Sequence, residues 1–167
     1  MKIVSEEIIE NVLQRMEDIK ERDAPGLITR MGEEQPIVLA YLMAYAKDLT
    51  EDEQGLLVLL GLNIWQMMSE DGPHPAKVSE EVIEEMEDKN VQMVEYQAEE
   101  FEFVQDDIAE RLITGYNQRN ILMYMLESIM EEPEDERVIQ GDNIGIFMLC
   151  LKTVIDCFDR DHLSLVD

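Results

Sequence analysis

The sequence predicts an all-α fold: one helical domain over residues 1–167, made of three-helix units used twice and packed as a single bundle with pseudo-twofold symmetry. Three observations predict it. Apolar residues return at three- and four-residue steps in almost every segment. Segment boundaries carry helix caps and breakers. Three blocks of sequence recur in the same order in two stretches, 5–70 and 79–159. With 167 residues, 46% of them hydrophobic, the chain has enough apolar surface to bury a core.

Ser5 is placed to cap a first helix reaching about residue 22, with Ile8, Ile9, Val12, Leu13, Met16 and Ile19 on one stripe. Asp23-Ala24-Pro25-Gly26 ends it. After a segment holding Leu27, Ile28 and Met31, Pro36 suits the first turn of a second helix running to about Lys47, with Val38, Leu39, Leu42 and Met43 available for burial. Thr50 and Glu53 make a capping-box pattern opening a third helix over 51–69. Its middle is apolar nearly all round, which predicts the most buried element of the first half. Asp71-Gly72-Pro73-His74-Pro75 is a break. From Ser79 a helical pattern through Val82, Ile83, Met86, Met93, Val94, Phe101, Val104, Ile108 and Leu112 predicts a helix that, if unbroken, reaches about Thr114. Asn117 or Asn120 is the expected cap of the next helix, which Pro133 ends. Asp142 or Asn143 is the expected cap of the last, to about Phe158. Only Lys2 to Val4 leaves room for a strand.

The repeat is read from order and spacing. Ser5-Glu6-Glu7-Ile8-Ile9-Glu10 matches Ser79-Glu80-Glu81-Val82-Ile83-Glu84 at five of six positions, and Leu27-Ile28-Thr29 matches Leu112-Ile113-Thr114 throughout. Residues 35–53 laid without gaps on 118–136 share Gln35/Gln118, Leu39/Leu122, Tyr41/Tyr124 and an acidic triplet. Gly55-Leu56-Leu57-Val58-Leu59 resembles Gly145-Ile146-Phe147-Met148-Leu149 in pattern. A lone three-helix unit buries little surface, so the apolar third helices are expected to pack on each other or on the opposite half.

Charge restricts the partners. The 13 Lys and Arg stand against 39 Asp and Glu, a formal charge of -26 that repels nucleic-acid phosphates and anionic lipid. No nucleic acid and no membrane partner is expected, and a macromolecular partner should be a basic or neutral protein. The start of the chain shows no leader pattern, and no apolar run reaches the roughly 20 residues a bilayer span needs, so a cytoplasmic location is expected. Cys150 and Cys157 lie seven apart on one predicted helix, about 10 Å at 1.5 Å per residue, too far for a disulfide. They read as core thiols.

Glu6-Glu7-x-x-Glu10 and Glu80-Glu81-x-x-Glu84 put carboxylates of successive turns on one helix face. In this they resemble the Glu-Glu-x-x-Glu signature of the all-α MazG-like nucleotide pyrophosphohydrolases. The resemblance implies magnesium held by Glu80, Glu81, Glu84 and Asp107 beside a pyrophosphate. That signature continues with Glu-x-x-Asp on the following helix; here Glu85 and Asp88 overlap the first motif, and Glu132 and Asp135 straddle Pro133. The same acids also suit the positive end of a helix just after a Ser cap. Asp159-x-x-His162 offers two ligands from one turn, against a plainly solvated terminal segment; His74, between prolines, reads as an exposed loop residue. No nucleophile elbow or phosphate loop is present.

Residues 80–110 hold 13 acids and one base, Lys89, with Tyr96, Phe101 and Phe103 among them. The expectation is therefore a non-catalytic acidic adaptor without cofactor or metal, contacting a basic protein through this face and through a groove between the halves. Met67, Met68, Met123, Met125 and Met130 could line such a groove or fill the core. The magnesium-dependent hydrolase is the alternative, and the sequence leaves monomer and homodimer both open.

Overall fold

The computed structural model describes residues 2–19, 23–70, 72–100, 113, 115–130 and 138–160, with side chains of 94–100 outside the description. Among the described residues the chain is all-helical: α1 (Glu6–Glu17), α2 (Ala24–Glu34), α3 (Pro36–Ala46), α4 (Glu51–Glu70), α5 (Glu80–Glu100), α6 (Arg119–Met130) and α7 (Ile144–Phe158), the last entered through a 3-10 turn at Gly141–Asn143. Lys2 to Val4 forms no strand.

Several local expectations hold for the anticipated reasons. The Ser5 hydroxyl accepts from the Ile8 amide and the Ser79 hydroxyl from the Val82 amide, each at 3.3 Å. Thr50 and Glu53 form a reciprocal capping box, amide to side chain, at 3.1 and 3.3 Å. Residues 60–68 of α4 are buried all round, so its weak amphipathicity is that of a core helix. Cys150 and Cys157 are free, buried thiols.

Others are corrected. The first helix stops at Glu17, and Ala24–Glu34 is a helix of its own: Pro25 falls in its first turn, where a missing amide costs nothing, so a sequence that reads as a terminator serves as a start. The stretch 5–70 thus holds four helices and not three. Helix α6 begins at Arg119, with Asn120 already inside it, and the Asn117 and Asn120 side chains donate to the Asp159 carboxylate and the Val4 carbonyl. Asn143 is the N-cap residue of α7 as expected, but its side chain makes no capping hydrogen bond and its amide group donates to Glu53 instead. Continuity of the helix beyond residue 100, with Phe101, Phe103 and Pro133, lies outside the described residues.

The core sits where α4 and α7 meet. Helix α1 packs on α4 as α5 packs on α7, α3 packs on α4 as α6 packs on α7, and each of α3 and α6 also touches the opposite core helix. At Gly61 an added methyl would lie 2.5 Å from Leu42 Cδ1, so α3 approaches α4 as closely as a bare backbone permits.

Two glutamines lock the ends of these layers. Buried Gln35, before α3, accepts from the Val78 amide at 3.0 Å and donates to the Pro75 and Ala76 carbonyls. Buried Gln118, before α6, accepts from the Val4 amide at 3.1 Å and donates to the Lys2 carbonyl at 2.9 Å. Each satisfies backbone that leads into a helix of the other half. Glu53, fully buried, adds a third tie, accepting from the Gln140 amide at 3.1 Å and from the Asn143 amide group at 2.9 Å.

Candidate functional site

Gln35 holds the start of α3 against the segment entering α5, and a groove of about 380 Å³ lies between these helices. Glu80, Ile83, Glu84 and Glu87 line it from α5, and Ile37, Ala40, Tyr41 and Tyr45 from α3. On α5 the steps of three and four put all four side chains on one face. Ile83 is buried and Glu80 and Glu84 are exposed, giving an apolar floor with a carboxylate wall. Among the described residues the lining carries three carboxylates and no base.

The aromatic wall is fixed from both sides. Tyr41 and Tyr45 meet edge-on, ring centroids 4.9 Å apart at 62°, a preferred aromatic arrangement. The Tyr45 hydroxyl donates to Glu87 at 2.7 Å. Burial and then Glu87 push the Tyr45 phenol up to about 12. Burial, reinforced by Glu87, pushes Tyr41 up still further. The buried Tyr41 hydroxyl makes no hydrogen bond of good geometry, although Glu87, Tyr45 and Thr153 stand close enough to influence its ionisation. Both phenols stay neutral through the physiological range.

A second groove, of about 320 Å³, lies between α1 and α6, lined by Glu6, Ile9, Glu10 and Leu13 and by Asn120, Met123, Tyr124 and Glu127. Among the described residues it too carries three carboxylates and no base. The Tyr124 hydroxyl accepts from the Asn63 amide group at 2.9 Å.

A third polar centre is buried at the C-terminal end of α7. Asp156 accepts from Tyr116 Oη, from Asn90 Nδ2 at 2.9 Å and from Lys152 Nζ at 2.8 Å. Lys152 also donates to Asn90 and sits 4.9 Å over the Tyr116 ring. Burial first, then the Asp156 charge, drives the Tyr116 phenol well up. Every named donor is matched to an acceptor, the economy of a structural network. Nearby Cys157 is raised to about 12 by burial and by Asp156, and Cys150 is raised further by burial. Both are thiols at neutral pH and poor nucleophiles.

The acids singled out in the sequence are divided by the fold. Glu80 and Glu84 share one groove and Glu6 and Glu10 the other, while Glu7 and Glu81 are exposed and line neither. Glu85 pairs with Lys89 at 2.9 Å. Asp107, Glu132, Asp135 and His162 lie outside the described residues. Asp159, expected to be solvated, is instead buried, accepting from Asn117 at 3.0 Å and Gln118 at 3.1 Å, because the connection before α6 folds over it. His74 is exposed, its Nδ1 3.2 Å from Glu34. Met67, Met68 and Met125 are core, whereas Met123 and Met130 are exposed. Among the described residues no group of three His, Cys, Asp or Glu side chains could hold a metal ion, and no helix is long and apolar enough to cross a membrane.

Sequence reasoning missed the tyrosines as groove walls and the glutamines as locks. Their signal was present, since Gln35/Gln118 and Tyr41/Tyr124 are identities within the aligned blocks. Comparison with known protein families, curated proteins and solved structures finds no match to this chain.

Proposed function

We propose that the chain is a non-catalytic, cytoplasmic adaptor built from an internal repeat, 5–70 and 79–159, related by a pseudo-twofold axis. Its α3/α5 groove takes a basic, amphipathic segment of another protein. The repeat is supported by the parallel packing of α1, α3 and α4 with α5, α6 and α7, and by paired burial: Val38/Ile121, Leu42/Met125 and Ala46/Ile129 are inside, Ala40/Met123 and Ala44/Glu127 outside. Tyr41 and Tyr124 are both half-buried; Leu122 is more deeply covered than Leu39.

The observation that carries the docking reading is a groove with an apolar and aromatic floor and, among the described residues, three carboxylates and no base. Apolar floor supplies contact area, aromatic residues are favoured anchors, and fixed carboxylates select lysine or arginine over acidic competitors. Because α3 belongs to one half and α5 to the other, the groove is also the place where the inter-half cleft and the acidic face coincide.

The experiment is calorimetric titration with a synthetic helical peptide of leucines and lysines on opposite faces, at low and at high salt. Saturable binding that weakens as salt rises is the expected result, since screening shortens the reach of exposed charge. Absence of saturable binding sinks the docking reading. Saturable magnesium binding at millimolar concentration, lost in Glu84→Gln, would sink the non-catalytic one.

A further inference from the structure

We infer that the α1/α6 groove is a second copy of the docking site, so that one chain holds two basic segments of the same kind at once. The inference rests on the docking reading proposed for the α3/α5 groove and adds the second site, the stoichiometry and the chemistry common to both.

The two copies of the repeat serve as a two-sequence comparison inside one molecule. On α1 and α5 the outward positions have mostly diverged, as at Asn11/Glu85 and Gln14/Asp88, yet three of the four groove-facing positions, Glu6/Glu80, Ile9/Ile83 and Glu10/Glu84, are identical. The buried isoleucines are explained by the core. Glu6 and Glu80 are explained by the positive helix end. Glu10 and Glu84 are not: they lie one turn beyond the first, where the dipole has faded, and both are exposed. Across each groove stands a tyrosine, Tyr41 or Tyr124, again the same residue in both copies.

The third carboxylate argues further. In the α3/α5 groove it is Glu87, from the α5 side; the matching position on α1 is Leu13. In the α1/α6 groove the third carboxylate is Glu127, from the opposite wall, where α3 has Ala44. The charge is kept while its position in the sequence is not. Core packing has no reason to preserve charge in that way, but a shared cationic ligand has. The occupant is therefore a segment with an apolar face and at least two lysines or arginines, one copy in each groove.

The test uses the full chain and the leucine-lysine helical peptide. Calorimetry is expected to give two peptides per chain, falling to one in Glu84→Lys and to one in Glu10→Lys, with no saturable binding in the double variant. Both sites are exposed on helix surfaces, so thermal melts of the variants should match the parent; the milder Glu84→Gln and Glu10→Gln, read by the same titration, stand in if a melt shifts. One peptide per chain, removed by Glu84→Lys and untouched by Glu10→Lys, overturns the second site and leaves the first. Failure to bind at either groove overturns both. Equal binding of a scrambled peptide with the same lysines and no apolar face also overturns the inference, because bulk charge would then account for the signal.

Discussion

Helix α1 is tied to α4 by Arg15, and α5 to α7 by Asn90, and the two ties differ in kind. Arg15 makes a forked contact with Glu70 at 2.9 and 3.0 Å and reaches Gln66 at 3.2 Å, with side chains 45% and 36% exposed. Asn90 joins Thr153, Asp156, Lys152 and, through Asp156, Tyr116, with Lys152 and Asp156 only 14% and 10% exposed. Both pairs of helices pack together, but one seam is closed by a surface ion pair that water can replace and the other by a network largely shielded from water. Similar geometry therefore does not imply similar energetics: the dielectric around the polar groups decides what their loss costs.

The largest effect expected from this contrast is at Asp156. Its replacement by alanine leaves Lys152 charged and largely covered without its carboxylate, strips Tyr116 of its acceptor and leaves Asn90 only Thr153, which should cost about 3–5 kcal/mol in urea denaturation. A loss under about 1 kcal/mol would erase the distinction between the seams. Next come the glutamine locks. Gln118→Ala and Gln35→Ala each leave a buried amide, of Val4 or Val78, without its acceptor, at a cost of about 1–3 kcal/mol. The two losses should be alike if the halves are equivalent, and a large inequality in the same denaturation series would count against the proposed repeat.

The pH dependence sharpens the same comparison. Burial alone would raise the Glu53 carboxyl, but donors from Asn143, Thr50 and Gln140 outweigh it and hold it below the ordinary range; hydrogen bonds from Arg15 hold Glu70 low. Folded values below unfolded ones give stability that is present above the normal glutamate range, about 4.3, and lost as pH falls beneath it. For Tyr116, Tyr41 and Tyr45 the signs reverse: their stabilisation is complete below about 10 and disappears as pH climbs, for Tyr45 through about 12. Thermal melts should thus decline at both extremes, with Glu53→Gln flattening the acid arm and Tyr116→Phe the alkaline one. The smallest effect is reserved for Arg15→Met, at most about 1 kcal/mol, because that pair is exposed. A larger loss by thermal melt would mean its forked geometry matters more than its solvent access suggests.

Much of the architecture was legible in the sequence because it is local. The Ser5, Ser79 and Thr50 caps act within three residues of themselves, and the apolar density of α4 announces its burial whatever its neighbours are. The Pro25 error shows where local reading fails, since the same residue ends one helix or begins another depending on which turn it enters. Of the site, the acidic repeats at Glu6 and Glu80 were visible, but their partners were not. Tyr41 and Tyr124 come from helices far along the chain, and no periodicity on α1 or α5 points to them.

By itself the sequence determined the helical class, the sign and weight of the surface charge, and the recurrence of its blocks, all properties of composition and short-range order. Tertiary structure alone decided that Gln118 would serve an amide 114 residues away, that Asp156 and Asp159 would be buried, and that the carboxylates would divide between two grooves. The physical reason is that a polar side chain's environment depends on what covers it. That cover comes from elsewhere in the chain, from Asn90 and Tyr116 over Asp156, from Asn117 and Gln118 over Asp159, and from the segment before α1 over Gln118.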